Sequence, residues 1–571
     1  MPIPGVRRRQ GGGSQTVDAK PGDTLTRRKL MRRGLAFAAG LGGVMVVSAG
    51  SRAQASPQQR RNTPLRLQRL RVHGGGVRFK RDNPMLATIS PTRNQKARTV
   101  TISFVLDRKI RLRLEVARGG RRGPERVATE NFKLNAGRHR IAWTAPRELA
   151  PGTYLLRLRA TDRRGRTIFY GRHPLDKQRR PAPVLRVLGV HIALARRSYQ
   201  AGQRAVLRVE ADTAKLVLRV FHSSSEETAT RRNDEMRGTP VGEPIVRAWR
   251  RYRHRDHAIR LRVGDWPSGL YFVRATSTDG RHGFAPFVVR PTEPGEHRVA
   301  VVLPTHTWQA YNFFDQNCDG WGDTWYARTT DRIELDRPYL NNGVPPRFRV
   351  YDLPFLRWLR MGGKQADFYA EDDLERFASG AALRDAYDVI VFPGHSEYMT
   401  EHAYDVIEGF RDLGGNLMFL SANSFFWKVQ KRGSYLDRIA LWRESGRPEA
   451  ALIGTQYLAN DDGSCRDAFV VTGADLAPWV FKGTGLTNGN VFGQYGIEID
   501  HTTEASPKGT IVLARIPDLF GPGQTAEMTY HETVSGARIF SAGVLAFGTR
   551  AMHDKVVSQI LENVWRKLTQ S

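Results

Sequence analysis

Four segments of the chain place groups able to bind protons or metals directly beside apolar, strand-like runs. VAVVLP (299–304) leads into His306, Trp308, Gln309, Tyr311 and Asn312. DVIVFP (388–393) leads into Gly394, His395, Ser396, Glu397 and Tyr398, and NLMFL (416–420) into Ser421, Asn423 and Ser424. Thr529-Tyr530-His531-Glu532 stands just before the last apolar run. A loop that only reverses the chain needs Gly and Pro, so these side chains ask for a chemical reading. Nucleophilic catalysis finds no candidate. Ser396 lacks the second glycine of a nucleophile elbow, having Tyr398 in its place. Neither Cys318 nor Cys465 follows a strand next to a histidine, and there is no His-Glu-x-x-His, Walker or dinucleotide motif. What remains is a set of Tyr, Glu, Asn and His. Phenolate and carboxylate are hard ligands for a hard cation. A phenol normally titrates near 10, and a trivalent ion would stabilise its anion at neutral pH while polarising a carbonyl and acidifying a bound water.

These residues need a scaffold that brings strand ends together. From residue 297 onward apolar strands alternate with helices, which predicts an α/β domain over 292–571: a parallel sheet with helices on both faces and ligands at the strands' carboxyl ends. Thr400 caps a predicted helix whose apolar face is Tyr404, Ile407 and Phe410 and which Gly414-Gly415 stops. A last helix is expected over about 552–568, and residues 312–365 read as an insertion. Upstream, LAPGTYLLRLRATDRRGRTIF around Tyr154 and DWPSGLYFVRATSTDGRHGF around Tyr271 repeat one hairpin pattern. The recurrence predicts two β-sandwich domains, 86–183 and 184–291, the first resembling the immunoglobulin-like modules of secreted bacterial proteins. Tyr154 and Tyr271 occupy the same place in the two copies. Within the insertion, Asp315, Asn317, Asp319 and Asp323 match the first half of a calcium loop, but Tyr326 stands where the bidentate Glu belongs.

Residues 17–55 contain Arg27-Arg28 before a Gly/Ala-rich apolar run and Ala53-Gln54-Ala55. This reads as a twin-arginine export signal over 1–55, implying a periplasmic or extracellular protein. Residues 56–85 read as a disordered basic leader. The net charge of +33 is unevenly spread: residues 1–300 are strongly basic, whereas residues 301–571 carry slightly more acid than base. Arginines scattered along strands, without clustered aromatics, argue against a specific nucleic-acid partner and leave an anionic cell-envelope polymer as one partner class. In an oxidising compartment Cys318 and Cys465 could pair, although two distant cysteines establish no framework.

Taken together, LPTHTWQAYN, DRPY (336–339), YDVIVFPGHSEYMT, GGNLMFLSANSFFW, GIEIDH near Glu498 and MTYHETVSGARIFSAG resemble the large (beta) subunit of N,N-dimethylformamidase over about 255–570. The resemblance implies a class I glutamine amidotransferase-like, flavodoxin-like α/β domain, with Asn423 where such folds place a catalytic cysteine. It further implies a mononuclear Fe(III) held by two tyrosines and a glutamate, here Tyr271, Tyr311 and Glu397. His395, Asn423 and Glu532 would act around the metal, with Glu532 or His395 as general base. The substrate would be a small linear amide, and a small partner subunit or a homo-oligomer would complete the assembly. A non-catalytic exported binding module is the alternative from another functional class.

Overall fold

The apolar strands Val299–Leu303 and Val389–Phe392 are buried at every position because their sheet is covered on both faces. Val301, Val391, Met418 and Phe540 pack beneath helices Leu353–Met361 and Lys555–Thr569. Ala300, Val302, Ile390 and Phe392 face the other way, beneath helices Gly380–Ala386 and Glu401–Asp412. Across the sheet the strands run Asp367–Ala370, Val299–Leu303, Val389–Phe392, Asn416–Phe419, Arg538–Ser541, Ala526–Glu532, Ile511–Ile516, Arg466–Val471 and Val491–Gly496. The first five are mutually parallel and the remainder pair antiparallel. In chain order the parallel part therefore reads second, first, third, fourth, last. This computed structural model describes residues 64–570 apart from 77, 92, 224–229 and 231, and the export signal read in residues 1–55 lies outside the described residues.

Local sequence rules hold at the helix ends. The Thr400 side chain accepts from the Ala403 amide and starts Glu401–Asp412. The last helix begins at Lys555 rather than near Met552, because the Asp554 carboxylate accepts from the Val556 and Val557 amides.

Upstream, strands Gln68–Gly74, Thr99–Leu106 and Gly137–Thr144 share one core with a larger sheet containing Ile110–Gly120, Gly123–Leu134 and Gly152–Asp162. Strand Val184–Val187, from the start of the second expected sandwich, pairs with Leu86–Ile89 and Gly152–Asp162 of the first. The basic segment expected to be a loose leader is structured from Pro64 on. Leu65, Leu67 and Val72 are buried, and Gln68–Gly74 pairs with Thr99–Leu106. Its apolar alternation is interrupted by arginines whose charged ends reach solvent. A second pair of sheets holds Val190–Leu194, Arg204–Ala211 and His257–Arg262 in one, and Lys215–Ser223, Gly269–Ser277 and His282–Val289 in the other.

The 312–365 insertion ties these units to the α/β sheet. Trp321 is buried in the first unit's core, and Tyr339, Val344 and Phe348 share a core with Phe272 and Phe284 of the second. At Gly343 (φ 89°) a Cβ would lie 1.8 Å from the Phe284 carbonyl oxygen, so only glycine allows this approach. The two charge-unlike halves also meet at this insertion and at the segment just after it. Arg179 pairs with Asp319 at 2.7 Å, Arg208 with Asp336 at 2.5 Å, Arg290 with Asp373 at 3.6 Å, and Arg197 with Asp372.

Candidate functional site

Strand order reverses between Val299–Leu303 and Val389–Phe392, and the chain leaves their carboxyl ends in opposite directions, which opens a crevice there. Tyr311 terminates the short helix Thr305–Ala310 that follows the first of these strands. His395 and Glu397 lie on the turn that follows the second. Gly394 is required at that turn, since a Cβ would sit 2.4 Å from Asp352 Oδ1 and 2.8 Å from Pro304 Cγ. The Glu397 amide donates to Thr307 Oγ1 at 3.2 Å, and its carbonyl accepts from the Trp427 amide at 2.9 Å. Glu397 is thereby fixed between the helix after one strand and the loop after another.

Tyr311 Oη donates to Glu397 Oε2 at 2.6 Å. His395 Nε2 lies 3.1 Å from Glu498 Oε2 and 3.8 Å from Glu397 Oε2, at ion-pair distance from both but aligned for a hydrogen bond to neither. Asn423 has φ 56°, the left-handed region that Asn tolerates. Its amide N–H donates to Asp500 Oδ1 at 2.8 Å, and its Nδ2 donates to Glu498 Oε2 at 3.0 Å. Tyr398 is buried, stands tilted against Trp325 with ring centres 4.8 Å apart, and has its ring centre 6.5 Å from that of Tyr311.

Burial governs the protonation of this cluster. It pushes the Glu397 carboxyl up to about 7, against the pull of the His395 imidazolium. Tyr311 is held well above 10, first by burial and then by the Glu397 and Glu498 charges. Burial alone would lower His395, but Glu498, Glu397 and Asp500 outweigh it and push the imidazole up to about 9. Burial likewise raises Glu498, yet His395 and the Asn423 amide pull it below the usual carboxylate range. The result at neutral pH is an imidazolium beside an ionised Glu498, with a phenol–carboxyl pair that shares protons next to them. Tyr311, His395 and Glu498 open onto a cavity of about 490 Å³ that Tyr326 and Tyr351 also line.

Of the six residues singled out in the sequence, the structure brings four together: Tyr311, His395, Glu397 and Asn423. Two lie elsewhere. Tyr271 is fully buried in the second unit's core, stacked on His222 with ring centres 4.6 Å apart, and its Oη donates to Pro267 O at 2.9 Å. Tyr154 makes the matching bond to Ala150 O at 2.7 Å, so the repeated Gly-x-Tyr turn builds a backbone tie in both copies and leaves no ligand free. Glu532 is half exposed, accepts from Tyr530 Oη and lies 4.0 Å from Lys567 Nζ. It ends a strand of the antiparallel part of the sheet, away from the crevice. Glu498 and Asp500 take the place expected for it. Their signal was two acids on either side of Ile499 in the strand Glu498–His501, which puts both carboxylates on one face.

A hard cation fits part of this donor set. Tyr311 and Glu397 offer two buried oxygens joined by a hydrogen bond, and Tyr398 places a second phenol ring 6.5 Å from that of Tyr311. Tyr271 does not fit. In the 315–323 loop the carboxylates serve the loop's own backbone: Asp315 accepts from the Gly320 and Asp319 amides, and Asp323 from that of Gln316. Cys318 and Cys465 are free thiols.

The sequence pattern of the N,N-dimethylformamidase beta subunit-like, C-terminal family matches residues 204–555, well over half of the chain. The chain belongs to that family. Within the N,N-dimethylformamidase beta subunit-like family, similar curated relatives are the N,N-dimethylformamidase beta subunits of an Alcaligenes species and of Paracoccus aminophilus. The first is 35% identical over 79 residues, 14% of this chain and 10% of its own length. The second is 32% identical over 102 residues, 16% of this chain and 13% of its own. The aligned segments thus span a small part of either relative. Among solved structures, trypsin-activated alpha-2-macroglobulin from Escherichia coli aligns with 40% of this chain and 17% of its own at 9% identity and a TM-score of 0.23, which carries no argument. The family match begins inside the second sheet pair and leaves the first outside it.

Proposed function

We propose that this chain is an exported, iron-dependent hydrolase that cleaves the C–N bond of a linear amide, as the names of its relatives suggest. The observation that carries the reading is the buried Tyr311–Glu397 bond of 2.6 Å at the crevice, with His395 and Glu498 beside it. Tyr311 and Glu397 would hold the metal, with Tyr398 as the second phenol in place of Tyr271. Bound there, the ion would supply Lewis-acid polarisation of the amide carbonyl and acidification of water. Glu498, kept ionised, takes a proton from the attacking water. His395, kept protonated, gives one to the amide nitrogen as the C–N bond breaks, so acid and amine leave with the protons balanced. Asn423 positions Glu498, and the surrounding tyrosines limit the access of bulk water. The strand order second, first, third, fourth, last supports reading the domain as flavodoxin-like and amidotransferase-like. The paired upstream sheets support an immunoglobulin-like reading.

Mature protein purified from iron-replete cells is expected to carry about one iron per chain by mass spectrometry, with visible phenolate-to-iron absorption. Glu397→Gln should lose both. Colourless, iron-free protein would overturn the proposal.

A further inference from the structure

The cavity over the Tyr311–Glu397 pair has a cationic mouth, and one of its walls comes from outside the family match. The hairpin formed by Ile110–Gly120 and Gly123–Leu134 reaches across from the first sheet pair and places Arg118, Gly119, Gly120 and Arg121 along the cavity. Glycine permits this approach: a Cβ at Gly119 would lie 3.1 Å from both Gly320 O and Trp321 Cε3. The Arg121 guanidinium stands 4.3 Å from the centre of the Tyr326 ring. Arg347, at φ 60° just before the helix Phe348–Tyr351, lines the cavity as well. Neither Arg121 nor Arg347 belongs to an ion pair among the described residues. Their neighbours are committed, since Arg118 donates to Pro151 O and Tyr154 Oη, and Arg122 pairs with Asp462. Against Arg118, Arg121 and Arg347 the lining sets Glu125 and Asp462, the latter paired with Arg122, which leaves the mouth net positive.

We propose that this mouth selects amides carrying a carboxylate remote from the bond that is cut. The inference rests on the amide-hydrolase reading of the cavity floor and names its substrate class. A guanidinium stacked on a phenol ring keeps its N–H edge free to hold a carboxylate in bidentate fashion. A carboxylate held at the mouth leaves the neutral amide end to reach toward the floor. Size agrees. A dialkylformamide of about five heavy atoms needs roughly 150 Å³ at a water-like share of about 30 Å³ per atom, far less than the 490 Å³ available.

The test uses the mature, metal-loaded chain and two probes: N-formyl-6-aminohexanoate and its neutral terminal carboxamide. Calorimetry should show the carboxylate binding about tenfold more tightly than the carboxamide, with the gap shrinking at high salt. In the double variant R121Q/R347Q the gap should close to within about twofold, and R121E should reverse it, with thermal melting used to verify that both variants fold. Equal binding of the two probes, no binding of either, or a gap that survives the double variant overturns the proposal. Turnover is read separately. A carboxylate preference without hydrolysis sinks the amidase reading while leaving the cationic mouth standing; hydrolysis without the preference does the reverse.

Discussion

At the residue scale, two tyrosines to which the family resemblance gives one role do different work. Tyr271 closes a turn within a β-sheet core, and its hydroxyl is spent on Pro267 O. Tyr311 points its hydroxyl at a buried carboxylate. Tyr271→Phe should therefore cost about 1 kcal/mol of stability, the worth of one neutral hydrogen bond, and leave iron content and amide turnover as they were. Tyr311→Phe should remove the visible absorption and lower kcat by at least about a hundredfold, while thermal stability holds or rises as a buried phenol loses its crowded polar environment. Parallel metal analysis and melting of the two variants separates the roles. Loss of iron from the Tyr271 variant would restore it as a ligand. His395, Glu397 and Asn423 were legible because a cluster of polar groups directly after an apolar strand has few structural uses. Glu532 instead ends a strand that pairs antiparallel, and that end lies away from the crevice.

At the element scale, the helix Leu353–Met361 begins at a residue that does not serve it. Asp352 occupies the capping position without a side-chain cap bond. Its Oδ2 instead accepts from Trp308 Nε1 at 3.1 Å, while Oδ1 has no partner. Burial pushes this carboxyl up to about 7, above its unfolded value of about 3.9. Between those two pH values the folded chain binds more protons than the unfolded chain, so the group's contribution to stability falls as pH rises and levels off above about 7. Asp352→Asn keeps an acceptor for Trp308 and removes the titration. Its melting temperature should decline less than that of the parent between pH 5 and pH 8, which calorimetry across that range will check; identical slopes would contradict the assignment. Helix and strand positions themselves followed from apolar spacing and caps, as at Thr400. The Gln68–Gly74 strand was obscured because arginines with long apolar stems occupy positions in a half-buried edge.

On the scale of the whole molecule, the insertion between the first two strands of the α/β sheet acts as a clamp. It sends Trp321 into one upstream core and Tyr339, Val344 and Phe348 into the other. Arginines of the basic half find carboxylates of the acidic half across the same seam. Unfolding of the described body is therefore expected as one cooperative transition. Trp321→Ala should lower stability by about 3–5 kcal/mol, the cost of emptying a buried aromatic site. Scanning calorimetry would reveal a separate early transition if the first sheet pair melts on its own, and that outcome would refute the clamp.

The sequence alone determined what local physics governs: which runs are strands, where Thr400 starts a helix, and that polar groups crowd the ends of apolar strands. These follow from residue type and short-range spacing. Only the tertiary structure decided which of those groups meet. It placed Glu498 and Asp500 in the cluster, withdrew Tyr271 and Glu532 from it, and carried Arg121 across from another sheet to the cavity mouth. The physical reason is that a contact between residues hundreds of positions apart depends on how sheets pack and where strand order reverses, and no periodicity along the chain encodes that distance.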